Sequence, residues 1–545
     1  MRADTVFLGG SSFVRGAASR VGIAVTDGRI SAVAPDDQLR ELVGPGTQVV
    51  DLAGGLLTAG FQDAHVHPVF AGALMLQCDL QDSADLAELV TRVQRYAAAH
   101  PEREWVIGGG WSMEALPGGR PHRDALDAVV PDRPVFLTNR DGHGAWVNGV
   151  ALRLAGIDRT SADPPDGRVE RDADGEPTGL LHEGAATLVG RLLPPSTPED
   201  GRSALLAAQT HLLALGITAW QDAIVGPYLG RPDNLATYLA ADAAGELVVR
   251  VVGDLWWDRE RGLEQLPDLR ERRASAPVGG RFRPTTVKIM QDGIAENFTA
   301  AMTQPYRDVC GCSTGSAGLS FVDPELLRRA VTALDAEGFQ VHLHTLGDRA
   351  VREALDALEA ARQANGPRDA RHHLAHLQVV HPDDVPRFAQ LGATATIQPL
   401  WAVHEPQMDE LTIPFLGRGL AERQYPFADL HAAGAALAAG SDWAVSSADP
   451  WAGIHVAVNR RPPDATAAVP AFLAHQRLSL GTALTAYTLG SARVNSLEHR
   501  TGTLEVGKDA DLAVHDRDPF AGPGGEIGGT RVLQTWISGR LVHQA

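Results

Sequence analysis

The stretch Gly60-Phe61-Gln62-Asp63-Ala64-His65-Val66-His67-Pro68 decides how this chain is read. Successive side chains of a strand alternate sides, so two histidines two apart share a face. The apolar run Leu56-Leu57-Thr58-Ala59 before them and the proline after them put both imidazoles at a strand's C-terminal end, where a metal ion could be held. Alone, the pair would also suit an exposed polar strand face, the less favoured reading. Four later apolar runs end on groups of the same kind. Thr285 to Gly293 carries Lys288, and Gln340-Val341-His342-Leu343-His344 is followed by Gly347-Asp348. Arg371 to Gln378 carries His372, His373 and His376, and Ala435 to Trp443 ends on Asp442. Strand ends carrying His, Lys, His, His and Asp, separated by helical stretches, predict a TIM-type (β/α)8 barrel. Its active site is assembled from the C-terminal ends of several strands.

Composition suits a soluble enzyme. At 545 residues the chain exceeds what one hydrophobic core serves. With 44% hydrophobic and 21% charged residues it is neither disordered nor membrane-like. The formal charge of -19 argues against nucleic acid and acidic lipid surfaces as partners, with solubility as its simpler reading, and a small-molecule substrate is expected. Cys78, Cys310 and Cys312 form no disulfide framework, and the last two are too close together and too few for a structural zinc site. No signal peptide is visible behind Met1, and no run approaches the roughly 20 apolar residues of a membrane span. A cytoplasmic location is expected.

Both ends of the chain read as β. Val21 to Val33 is two strands around Asp27-Gly28, and Val532 to Val542 repeats the pattern around Ser538-Gly539. Neither piece can bury a core alone, so a small β-sandwich built from both, at about 1–57 and 497–545, is expected around a barrel domain at 58–496. Between His67 and the run Gly216 to Asp222 lie roughly 150 residues, far more than one helix needs. The excess, about 70–210, contains helix-like 83–99, the apolar runs Trp105-Val106-Ile107 and Pro134 to Leu137, and a Gly/Pro/Asp-rich segment at 162–179. It is expected to form an inserted lid subdomain over the barrel mouth, of the kind that excludes water and shapes substrate choice. Barrel strands are predicted at 56–66, 215–222, 247–256, 285–292, 340–345, 371–377, 393–399 and 435–442. Scaffold helices are predicted at 324–337 and 349–363, where apolar residues recur at helical spacing.

Further motifs run the length of the chain. They include Gly109-Gly110-Trp111-Ser112-Met113-Glu114, Asp141-Gly142-His143-Gly144-Ala145-Trp146-Val147-Asn148 and Gly179-Leu180-Leu181-His182-Glu183. His344-Thr345-Leu346-Gly347-Asp348-Arg349-Ala350, Gly440-Ser441-Asp442-Trp443 and Gly502 to Leu512 follow. In order and spacing, together with the HxH, Lys, His, His, Asp series, they resemble the amidohydrolase superfamily of metal-dependent hydrolases. Within it the chain is similar to amidohydrolase family 3, the branch that includes N-substituted formamide deformylase. The resemblance covers nearly the whole chain and implies the same terminal sandwich and the same lid.

It also implies a ligand set. His65 and His67 would bind a first, more buried divalent metal, and His344 and His376 a second. Lys288 would bridge the two after carboxylation by carbon dioxide, which turns a cation into an anion; burial favours the free amine this needs. From the residues alone, a salt-bridged lysine fits as well. His342 shares the face of His344, so geometry leaves both open, and the family's His-x-x-Gly-Asp pattern favours His344. His372 and His373 have no such support and read as structural. Asp442 would ligate the first metal and act as general acid/base, taking a proton as metal-activated hydroxide attacks a carbonyl and returning it to the departing nitrogen. Zinc is the expected metal, though manganese or iron would fit.

Many relatives carry a glutamate where this chain has Ala375, which bears on metal affinity or substrate preference rather than on hydrolysis. Asp348, after Gly347 at a helix start, reads as an N-cap. The implied reaction is cleavage of a C–N amide bond in an N-acyl or N-formyl amine or amino acid. His143, Trp111, Trp146 and Trp401 are candidates for lining an aromatic substrate pocket, with lid packing as the other reading of Trp111 and Trp146. A cyclic amide, imide or ester hydrolase would use the same metal site. A non-catalytic regulatory protein of this fold would show lost ligands, and none is lost here. Relatives suggest a homodimer.

Overall fold

The computed structural model describes residues 2–81, 83–228, 231–465 and 468–545. Eight parallel strands form a barrel in chain order: β1 Phe61–Val66, β2 Ile217–Val225, β3 Arg250–Trp256, β4 Phe282–Met290, β5 Gln340–Thr345, β6 His373–His376, β7 Thr394–Ile397 and β8 Ala436–Ala439. Neighbours pair in the order of the sequence, the arrangement expected when each crossover is a helical connection. The last strand returns to the first through Asp442 N, which donates to His65 O at 2.8 Å, and His67 N, which donates to Trp443 O at 2.9 Å. Gly440 permits this approach: a Cβ there would stand 2.7 Å from the His65 backbone.

Five of the eight strands are shorter than the apolar runs suggested, and two of these differences bear on the site. The barrel starts at Phe61 rather than at 56, because Leu57, Thr58 and Ala59 pair antiparallel with Val514, Ala513 and Leu512 of a different sheet. Gly60 separates the two pairings and packs so closely on Thr218 that a Cβ would lie 2.4 Å from its side chain. At the other end β8 stops at Ala439, so Asp442 is held on the turn that follows. On the outer face of the barrel, Val287, Ile289, Val341, Leu343 and Leu374 are buried with the helices Pro324–Ala336 and Asp348–Asn365 in the main core. Asp323 caps the first helix with hydrogen bonds from Glu325 N and Leu326 N. Asp348 is not a cap. It is the first residue of its helix, and its carboxylate accepts from Thr303 N at 2.7 Å and Thr303 Oγ1 at 2.6 Å.

The chain ends make two sheets. One orders Arg29–Ala34, Gly22–Thr26, Thr5–Leu8 and Gln48–Asp51; the other orders Arg540–Gln544, Val532–Ile537, Leu512–His515, Leu56–Ala59, Ser11–Val14 and Ala17–Ser19. Phe7 and Trp536 meet edge to face between them at 5.3 Å. Both hairpin turns have positive φ at both central residues, 52° and 73° at Asp27-Gly28 and 48° and 72° at Ser538-Gly539, the form whose twist matches a hairpin. The tips touch, and a Cβ at Gly28 would meet Ser538 O at 2.6 Å.

Between β1 and β2 the inserted segment builds a six-stranded sheet, in the order Gly167–Arg171, Pro177–Glu183, Gly144–Val147, Val135–Asn139, Val106–Trp111 and Cys78–Asp79. The helix Leu86–Ala99, capped by Asp85, buries Leu89, Val93 and Ala97 in the core of this insertion. Among the described residues, no helix is long and apolar enough to cross a membrane.

Candidate active site

A cavity of about 700 Å³ opens at the C-terminal ends of the strands. His65, His67, Lys288, His344, His376 and Asp442 line it from the barrel, and Ile107, Phe136, Asp141 and His143 line it from the insertion. At its floor, Asp442 Oδ1 lies 2.9 Å from His67 Nε2 and 3.4 Å from His65 Nε2, while Oδ2 lies 3.7 Å from His376 Nδ1. The His344 and His376 rings are 4.4 Å apart, and those of His65 and His376 4.7 Å. His376 and Asp442 hold left-handed backbones, φ 76° and 55°, a conformation costly for non-glycine residues and concentrated at functional sites.

The donor set fits a cation. Donor atoms of His65, His376 and Asp442 all lie within 4.8 Å of one another. His67 Nδ1, His344 Nδ1, both His376 nitrogens and Asp442 Oδ1 are buried without a hydrogen-bond partner. Orphaned polar atoms are rare in folded interiors, and imidazole and carboxylate atoms clustered as in His65, His376 and Asp442 are what a metal ion satisfies. Protonation favours the same reading. Burial holds the His344 and His376 imidazoles well below their ordinary value and His65 at about 3, so each offers a lone pair at neutral pH. Burial works against the Asp442 carboxylate, yet the facing His65 and His67 hold it well below the usual range. Burial brings Lys288 down to about 7, against the opposing pull of Asp254 and Asp442.

Beneath the floor, His342 separates from His344. His344 reaches the cavity, with Nδ1 3.4 Å from Asp292 Oδ1. His342 is fully buried in the barrel interior, its Nδ1 2.5 Å from Asp254 Oδ2 and its Nε2 2.9 Å from His65 Nδ1. With the proton of the first contact on His342 Nδ1, Nε2 accepts from His65 Nδ1–H and leaves the His65 Nε2 lone pair facing Asp442. Lys288 Nζ stands 3.3 Å from His342 Nε2 and 3.5 Å from His65 Nδ1. Gln221 Nε2 donates to Asp254 Oδ1 at 2.7 Å. His373 also sits in this interior layer, 2.8 Å from Thr396 Oγ1, and His372 accepts from Val341 N; both are structural.

On the lid side, His143 Nδ1 is 3.0 Å from Glu183 Oε2, and its ring is 5.4 Å from that of His344. Burial opposes charge on His143, but the Glu183 carboxylate outweighs it and raises the imidazole to about 9. Trp401 stacks on His376 at 5.1 Å with the rings nearly parallel and lines the cavity. Trp111 and Trp146 do not. Both are fully buried in the core of the insertion, where they meet edge to face at 6.3 Å and Trp111 Nε1 donates to Leu137 O. Both lie on strands of the insertion, where a large apolar ring is drawn to the core.

Reading the sequence did not single out Asp254, Glu183, Asp292 or Asp63 as parts of the site. Asp63 ties β1 to the turn carrying Asp442, accepting from His65 N at 3.0 Å and Ser441 N at 3.1 Å, and burial raises its carboxyl to about 7. Its place inside Gln62-Asp63-Ala64-His65 was the available signal. The other three act through partners distant in the chain.

The model of the amidohydrolase family matches residues 48–543. The chain belongs to the amidohydrolase family. It is 31% identical to Protein LONG AFTER FAR-RED 3 of Arabidopsis thaliana, over 96% of this chain and 88% of that one. It is 27% identical to the N-substituted formamide deformylase of Arthrobacter pascens, over 96% and 94%. Among solved structures, a metal-dependent hydrolase from Pyrococcus horikoshii superposes with a TM-score of 0.73 at 26% identity, covering 96% of this chain and 99% of that one. This amidohydrolase is thus a hydrolase on a TIM-type barrel, and its family implies a divalent metal.

Proposed function

We propose that this amidohydrolase cleaves the C–N bond of a linear N-acyl or N-formyl amine or amino acid. The observation that carries the reading is the cluster of His65, His376 and Asp442 donor atoms, with unpartnered imidazole and carboxylate atoms beside it, on the floor of a cavity that the insertion helps to line. Similarity to an N-substituted formamide deformylase supports the linear amide. His65, His67 and Asp442 would hold one metal ion and His344 and His376 a second, with Lys288 as a carboxylated bridge. A lysine whose burial lowers it to about 7 has the free amine that carboxylation requires. When bound, the metal, which we take as zinc, supplies Lewis acidity toward the acyl oxygen and the attacking water.

The protein residues do the rest. Ionised Asp442 accepts a proton at its free carboxylate oxygen as water attacks the acyl carbon. It then delivers that proton to the amine nitrogen, a poor leaving group until protonated. His143, kept cationic by Glu183, presents an N–H donor from the lid toward the same centre. The aromatic face of Trp401 holds His376 in place and offers an apolar wall to the substrate. The insertion keeps bulk water out, which strengthens each of these interactions.

The test is a hydrolysis panel on zinc-loaded protein grown with bicarbonate, pairing N-benzylformamide and N-acyl amino acids with cyclic imides, lactams and simple esters. Amine release from the linear amides alone, abolished in Asp442→Asn, is expected. Turnover of only the cyclic compounds or esters would overturn the substrate reading.

A further inference from the structure

The charged groups along the cavity wall do not all find partners. Asp141 accepts from the Asn139 side chain and from His143 N, and Asp222 accepts from Tyr238 Oη at 2.6 Å and Asn234 Nδ2 at 3.2 Å. Asp233 is paired with Arg272, and Asp200 is tied into the cap of its own helix by Thr197. Toward the outer end of the cavity, Arg202 bridges Glu199 and Glu246. Each of these acids is engaged, and so is the one arginine among them.

Arg231 lines the same cavity and is different. Its guanidinium carbon lies 3.8 Å above the centre of the Phe70 ring, and its one side-chain hydrogen bond is a long one, from Nη2 to Thr138 Oγ1 at 3.4 Å. Among the described residues no carboxylate forms an ion pair with it. Burial alone acts on it, bringing it down to about 9 with no acid to oppose the shift. An arginine that loses solvent and gains no counter-ion is expensive to keep, unless something else supplies the negative charge. Phe70 belongs to the helix Pro68–Met75, which begins directly after His67, so the residue beneath the guanidinium lies about one helical turn along the chain from a cavity-floor histidine and in the same cavity. The ring supports one face of the guanidinium, and beyond the long bond from Nη2 it keeps N–H donors for a planar, two-oxygen acceptor.

We infer that Arg231 is the receptor for a carboxylate carried by the amide substrate, and that it makes this enzyme select anionic amides over neutral ones of the same shape. The inference rests on the amide-hydrolase reading above for the reaction, but not for the binding. A charge-assisted contact of this kind discriminates by about 10- to 100-fold.

Hippurate and hippuramide differ only in a carboxylate against a carboxamide, and they make the test. Isothermal titration of the zinc-loaded protein is expected to show hippurate binding at least about 10-fold tighter. In Arg231→Met that preference disappears while hippuramide affinity stays within about twofold, and Arg231→Lys restores part of it. Thermal melts of both variants check folding, and Arg231→Gln serves if the methionine variant is unstable. Equal affinities in the parent protein overturn the inference. So does a preference that survives in Arg231→Met, as it would if the carboxylate were captured by the metal centre instead. Benzoate release from the same two compounds separates the two readings. Selective binding without turnover sinks linear amide hydrolysis and leaves Arg231 as an anion receptor. Equal kcat/KM for both compounds sinks the role of Arg231 and leaves the hydrolase.

Discussion

His342 and His344 sit two residues apart on one face of β5, and their surroundings divide the barrel into two regions. His342 belongs to an interior layer whose polar groups reach one another: Asp254, Gln221, Thr286, His373 and Thr396 are all buried and hydrogen-bonded. His344 belongs to the rim, where buried nitrogens and a carboxylate oxygen are left without partners. Most polar atoms of the interior layer are partnered within the fold, Gln221 Oε1 being an exception, whereas the rim gathers several that are not. A barrel filled with Val, Ile and Leu would separate core from site by polarity alone. Here both layers are polar, and what separates them is how nearly complete the hydrogen bonding is.

The sharpest way to break this comparison is Asp442→Asn. It should lower kcat by about 10³-fold or more, the scale of a lost general acid/base, while the melting temperature changes little because the lost contacts lie on the rim. A large loss of stability would mean the rim is as structural as the layer beneath it. Next comes a pair of tryptophans. Trp111→Ala in the core of the insertion should cost about 3–5 kcal/mol of stability in denaturant titrations with KM nearly unchanged, if the protein still folds. Trp401→Ala should raise KM several-fold and cost much less stability, and the opposite pattern would exchange their assignments.

The two histidines give a smaller but more direct test. His342→Asn removes the imidazole partner of Asp254 Oδ2 and the nearer partner of His65 Nδ1, at about 1–3 kcal/mol of stability. Through its hold on His65 it should also weaken zinc binding by about 10- to 100-fold, read by competition with a chelator. His344→Asn should reduce bound metal, by elemental analysis, with little change in stability. Identical behaviour of the two variants would erase the boundary between the layers. The smallest effect expected is on pH dependence. His143 is raised from 6.5 to about 9 by its pairing with Glu183, against burial. The pair therefore contributes fully below pH 6.5, and the contribution is lost as pH rises through 9. The difference in melting temperature between the parent protein and His143→Gln should shrink over that window. A difference independent of pH would mean the contact is not ionic.

Much of this was legible in the chain itself. Residue types that hold metals recurred at the ends of apolar runs in a fixed order, and the period of those runs set eight parallel strands and their helices. Hairpin turns with a glycine at a position needing positive φ marked the terminal strands. Strand ends were less legible. Leu56–Ala59 and Phe61–Val66 read as one strand because hydrophobicity does not say which sheet a strand joins. Asp348 read as a cap because the local pattern cannot show Thr303, which its carboxylate holds across 45 residues of sequence.

By itself, then, the sequence determined which chemistry is present and in what order it comes along the chain, since both follow from local periodicity and residue type. Only the tertiary structure decided depth and partnership. His342 and His344 are equivalent until Asp254, 88 residues away, claims one of them. His143 is an ordinary lid histidine until Glu183, 40 residues on, keeps it charged. Arg231 becomes notable only when every acid around it proves to be engaged. Burial and hydrogen-bond completion are properties of the assembled neighbourhood, set by residues that no local window brings together.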